Sequence, residues 1–133
     1  MSGPQAVLLF QLGPRIFASR PAGVARIAGA GEPFPELLEG SCLGRSWSAA
    51  RRLVVRGDDG AESALAVDQV LGVREVDPAA LRPLPPLAEG LLSTRAVAGL
   101  VLLDDAPTPL IDLPTLFREQ RQPAPADARS PDA

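Results

Sequence analysis

The sequence predicts an all-β protein, and three observations predict it. Apolar or alternating runs are short, about seven or eight in number, and turn signals interrupt them every ~8–15 residues, the spacing of small barrels and sandwiches. Fifteen prolines and 12 glycines leave no room for a long helix. At 133 residues, 46% hydrophobic, the chain suffices for one compact domain and is too short for two ordinary ones.

Taken in order, Ala6 to Leu12 reads as a largely buried strand, stopped by Gly13-Pro14, with Arg15 to Ala18 as its hairpin partner. In Pro21 to Ile27, the three-residue spacing of Val24 and Ile27 fits a short helical turn or an irregular strand. Gly29 to Pro35 is a loop by composition, and Glu36 to Ser48 sustains neither period. Arg52 to Arg56 and Ser63 to Val67 are strands joined by the Gly57-Asp58-Asp59-Gly60 turn. Val70 to Val76 is a further, half-buried strand interrupted by Gly72. Asp77 followed by Pro78 reads as a cap on one short helical turn. Pro83, Pro85 and Pro86 enforce an extended connector. Ala96 to Leu103 and Thr108 to Asp112 are strands joined across Asp104 to Pro107. Leu113, Leu116 and Phe117 sit at i, i+3 and i+4, the pattern of a short closing helix. Residues 122–133, with three prolines and few large apolar side chains, are expected to be disordered.

The residue inventory excludes most chemistry. There is no histidine, lysine or tyrosine, and Cys42 is the single cysteine. No imidazole can serve a Ser-His-Asp or Cys-His arrangement, and a lone cysteine without histidine completes neither a zinc site nor an internal disulfide. Without lysine there is no Walker A loop and no Schiff base. The pairs Asp58-Asp59 and Asp104-Asp105 could hold a hard cation, but they adjoin glycine or proline and read as turns. Gly29-Ala30-Gly31 lacks the spacing of a phosphate-binding loop. No enzyme and no cofactor are expected. A net charge of −3 without a basic block argues against nucleic acid. No apolar run approaches the roughly 20 residues of a membrane span, and the start has no signal-like basic region. Cytoplasmic binding is the expectation.

Ala64 to Val73, then Asp77 to Leu81, then Pro83 to Pro86, then Val97 to Leu100 through Leu110 to Leu113 form an ordered series. Together with Val7 to Gly13 and Val24 to Ile27, that series resembles the CheW-like domain over roughly residues 6–120. The resemblance implies two packed, SH3-like five-stranded barrels. It divides a single domain, residues 1–121, into a first barrel region near 6–50 and a second near 51–121. The segment Leu37 to Ser46 lines up with the first part of the family's LLGLVNLRGRVVPVVDLRRLLG stretch, which puts Arg45 on the arginine of NLRG, but Leu43, Gly44 and Ser46 replace the neighbouring Asn, Leu and Gly, and about twenty residues that follow in the family are missing. The first barrel is therefore expected to be trimmed. An unpaired strand edge follows, compensated by rearrangement, by self-association or by a partner.

In function the resemblance implies an adaptor coupling a chemoreceptor signalling domain to the regulatory domain of a CheA-type histidine kinase, recruited to receptor arrays and possessing part or all of the family contacts. Receptor-side positions carried over are Val24, Arg26 and Arg45. Val24 is either an apolar contact or a core valine. Arg26 stands where some members carry an acid, and is either a reversed-charge contact or a solvated side chain. Arg45 either grips a receptor carboxylate or stabilises the inter-barrel loop. Trp47 is either an interface centre or a core plug for the shortened barrel. Cys42 reads as a small buried residue. The alternative function is a free-standing SH3-like interaction module for localisation or motility control.

Overall fold

Asp77 accepts a hydrogen bond from the backbone N–H of Ala79 at 2.9 Å and caps a single 3-10 turn, Pro78–Ala80, as its pairing with Pro78 predicts. The described residues form twelve strands: β1 (Gln5–Leu12), β2 (Arg15–Ser19), β3 (Arg26–Gly29), β4 (Glu36–Leu38), β5 (Gly40–Ser41), β6 (Gly44–Arg45), β7 (Arg51–Arg56), β8 (Glu62–Val67), β9 (Gln69–Val76), β10 (Leu81–Arg82), β11 (Val97–Leu103) and β12 (Ala106–Ile111). A second 3-10 turn lies at Pro21–Gly23, and the only α-helix among the described residues, α1, spans Leu113–Arg121. The computed structural model describes residues 3–41, 43–57, 59–84 and 95–121. The expectations placed on Cys42, Asp58, Pro85, Pro86 and 122–133 fall outside them.

The strands form a six-stranded sheet in the order β10-β11-β12-β2-β1-β9, a four-stranded sheet in the order β3-β7-β8-β4, and the small β5-β6 ribbon. The all-β expectation holds. Two of its details do not. The sheets hold six and four strands and are open, with no pairing of β9 to β10 or of β3 to β4. Nor does the division fall near residue 50: β1 and β2 belong to the sheet of the C-terminal strands, while β7 and β8 belong to the other. The reason is pairing preference. β1 is apolar on both faces and takes a strand on each side, β2 through a hairpin and β9 antiparallel, so it sits inside the larger sheet.

β1 also separates two cores. Leu8, Phe10 and Leu12 face a large cluster with Leu53, Val55, Leu65, Val67, Ile111 and the α1 side chains Leu113, Leu116 and Phe117. Val7 and Leu9 face a smaller one with Ala18, Val76, Val101 and Leu110, lined by Leu81 and Leu103. Period-2 alternation sends adjacent residues to opposite cores. Phe10 and Phe17 stack across β1 and β2 with centroids 5.8 Å apart. The helix contributes the three residues its spacing predicts, each at most 1% exposed, and Asp112 caps it by accepting from the Thr115 backbone N–H at 3.3 Å, with the Thr115 hydroxyl donating to its other oxygen at 2.9 Å.

Turn chemistry sets the registers. Gly13 opens the two-residue β1-β2 turn at φ 58°, the sign a II′ hairpin requires there. Asp104 and Asp105, at φ 51° and 65°, form the two-residue β11-β12 turn, a I′ pattern shorter than the four-residue connection expected. Pro107 and Pro109 lie within β12, where pairing to β2 is confined to Leu110 and Ile111, so neither proline costs a ladder bond on that side. Arg74 of β9 forms an exposed ion pair with Asp104 of the β11-β12 turn at 3.1 Å, so these two parts of the six-stranded sheet lie close together.

Candidate functional site

Asp68, between β8 and β9, organises the junction of the two sheets. Its backbone N–H donates to the Gln11 carbonyl at 2.9 Å. Its carboxylate accepts from the Gly13 N–H at 2.6 Å and from the Ser48 N–H at 2.5 Å. The β1-β2 turn and the 46–50 segment are thereby tied to one side chain. Burial pushes the Asp68 carboxyl up, but the Gly13, Ser48 and Trp47 amides outweigh it and hold the group well below the usual carboxylate range. Sequence reading assigned Asp68 no role. The signal was available as the one acid interrupting the apolar run from Ser63 to Val73.

That clamp presents Trp47. A Cβ on Gly13 would stand 3.6 Å from the indole, an ordinary contact, and 3.3 Å from the Arg45 carbonyl, a tight one, so the positive φ is the main demand for glycine here. The indole is 73% exposed, which overturns the core-plug alternative. The shortened region needs no aromatic plug, because Leu43 of the same segment already enters the large core. Arg45, on β6, is exposed, and its guanidinium lies 3.4 Å from where a Gly40 Cβ would be.

The other two candidates lie elsewhere. Val24 follows the 3-10 turn at Pro21–Gly23 and packs, partly buried, against the large core. Arg26, on β3, forms a bidentate pair with Glu32 and reaches Glu62 on β8 at 2.9 Å, while its guanidinium stands 5.4 Å from the Phe34 ring centroid. Arg56 joins Glu62 at 3.0 Å. Bonding to Glu32 and Glu62 raises the Arg26 pKa, and the Arg26 guanidinium lowers both carboxylates, with Arg56 adding to the effect on Glu62. The structure thus separates the positions expected to face a receptor: Val24 and Arg26 both follow the Pro21–Gly23 turn, and Arg45 lies with Trp47 at the Gly13 end.

Among the described residues no three His, Cys, Asp or Glu side chains converge as metal ligands would. Asp59 accepts from the Ala61 N–H at 2.9 Å in its own turn, and Asp104 bonds Arg74. A concavity of about 280 Å³ opens between Ser19, Arg20, Gly23, Ala98, Ile111 and Pro114, beside the 3-10 turn and the start of α1. Its carboxylate, Asp112, is occupied as the helix cap. Such an arrangement offers surfaces and docking clefts.

The CheW-like domain matches residues 10–121, which includes every strand from the middle of β1 to β12, and α1. The chain belongs to the CheW-like domain family. No curated protein matches it. Among solved structures it is similar to the scaffolding protein TtCheW from Thermoanaerobacter tengcongensis, at 18% identity and a TM-score of 0.63, covering 85% of this chain and 87% of that one. The CheW-like arrangement of paired SH3-like β units is therefore present, in the open form described above. No helix among the described residues is long and apolar enough to cross a membrane.

Proposed function

We propose that this CheW-like chain is a non-catalytic adaptor that couples a chemoreceptor signalling domain to the regulatory domain of a CheA-type histidine kinase. The observation that carries the reading is the CheW-like match along almost the whole folded chain, residues 10–121. Such a role needs complementary faces only, and Arg45 and Trp47 are surface groups. Arg45 presents a planar fork suited to a carboxylate on a receptor helix. Trp47 stands beside it as a large, pre-positioned contact held by the Asp68 clamp. Val24 contributes through the packing of its turn. Arg26 is committed to Glu32 and Glu62, so its part is to shape the β3 region rather than to grip a partner. The working location is the cytoplasmic face of receptor arrays.

The test is titration of the full chain with a receptor signalling domain and, separately, with a kinase regulatory domain. Binding of either at tens of micromolar supports the adaptor, and which one binds reports how many family contacts survive. Failure of both removes the reading and leaves a free-standing interaction module.

A further inference from the structure

Ala49 holds a φ of 50°, in the left-handed region that residues with a Cβ avoid. It belongs to residues 46–50, which lie between β6 and β7 and in neither strand. Side-chain oxygens hold this segment in place of ladder bonds. The Ala49 N–H donates to the Ser46 hydroxyl at 2.8 Å, the Ala50 N–H to the Ser48 hydroxyl at 3.3 Å, and the Ser48 N–H to Asp68 at 2.5 Å. Two of these acceptors belong to the segment itself, whereas Asp68 comes from the junction of the two sheets. A strained backbone persists only where its surroundings over-determine it.

Trp47 stands in the middle of this segment, and its indole rests against the β1-β2 turn at Gly13. Gly13 donates to one Asp68 oxygen and Ser48 to the other. The same carboxylate therefore fixes the chain that carries the indole and the turn that supports it. With 73% of the residue exposed, Trp47 has little packing of its own to hold it.

We infer that Asp68 is a positioning residue for the Trp47 contact, keeping the strained 46–50 segment in the form that presents the indole. The inference deepens the adaptor reading and rests on it for the partner, a receptor signalling domain. Apparent affinity scales with the fraction of molecules in the competent form, so loosening the clamp weakens binding although every contact residue is retained. Asparagine has nearly the shape of aspartate but a single acceptor oxygen, so Asp68→Asn leaves the Gly13 or the Ser48 amide facing an NH2 group.

Trp47 is the single tryptophan, so its emission reports on the site directly. In the full chain, Asp68→Asn is expected to raise the fast local component of time-resolved anisotropy about twofold and to weaken receptor-domain binding about tenfold in calorimetric titration. Adding Ala49→Gly, which relieves the positive φ, should recover about threefold of that affinity. In a Trp47→Ala chain, Asp68→Asn should change affinity by less than about twofold, because the residue it positions is gone. Asp59→Asn loosens a carboxylate–amide bond confined to the β7-β8 turn, and as the control it should alter neither reading. Unchanged anisotropy in Asp68→Asn overturns the positioning role, whatever the chain binds. A freed indole with unchanged affinity overturns its bearing on binding, as does a full tenfold loss in the Trp47→Ala chain. The same changes from Asp59→Asn would mean general loosening and would overturn both. A wild type that binds no receptor domain removes the adaptor reading and the affinity effect with it, while the anisotropy still decides whether Asp68 holds Trp47.

Discussion

A single carboxylate, Asp68, fastens two segments that are distant in sequence, and its effect should be visible in acid. Replacing it with alanine leaves the Gly13 and Ser48 amides without their charged acceptor, a loss of about 2 kcal/mol in urea unfolding at pH 7. The folded pKa lies below the unfolded aspartate value of about 3.9. The contribution is therefore complete above the unfolded value and fades as pH falls through the folded one. Asp68→Asn should flatten the wild-type decline in stability below about pH 4, and equal slopes would contradict this. At Gly13, alanine would meet both a left-handed φ of 58° and the Arg45 carbonyl at 3.3 Å. The Asp68 contact is hard to read in one dimension because the amides it binds are 55 and 20 residues away.

At the level of elements, turns and close approaches decide where strands end. Gly99 lies on β11 where a Cβ would stand 2.6 Å from the Arg82 carbonyl of β10. Gly99→Ala must push β10 away and is expected to cost about 2 kcal/mol, read as a lowered thermal midpoint. The opposite sign is expected at the β11-β12 turn, where Asp105 holds φ 65°. Asp105→Gly relieves that strain and should stabilise by about 0.5–1 kcal/mol, provided the Arg74–Asp104 pair is untouched. Elements with a complete local signal were legible: the β1-β2 hairpin, the β7-β8 pair, the Asp77-capped turn and α1 with its three buried residues. The 36–48 segment was not. β4, β5 and β6 are two or three residues long and set by their partners, β4 by parallel pairing to β8, so no period is long enough to register.

For the whole molecule, the proposed function by contact means that surface changes should separate binding from stability. Trp47→Ala and Arg45→Ala remove exposed side chains and should leave unfolding free energy within about 0.5 kcal/mol of wild type. Each is expected to weaken receptor-domain binding about tenfold or more, measured by titration, while Arg20→Ala changes neither. A loss of stability matching the loss of binding would assign Trp47 and Arg45 to the fold instead. By itself the sequence determined the all-β class, the positions of the longer strands, the closing helix and the family, because alternation, turn residues and caps act over a few neighbours. Only the tertiary structure decided that β1 and β2 join the C-terminal strands and that Arg26 is bound by its own chain. It alone decided that Trp47 faces outward under an aspartate's control. Those outcomes depend on which distant strands share hydrogen bonds and on charges brought together across the sheet, and no local pattern encodes either.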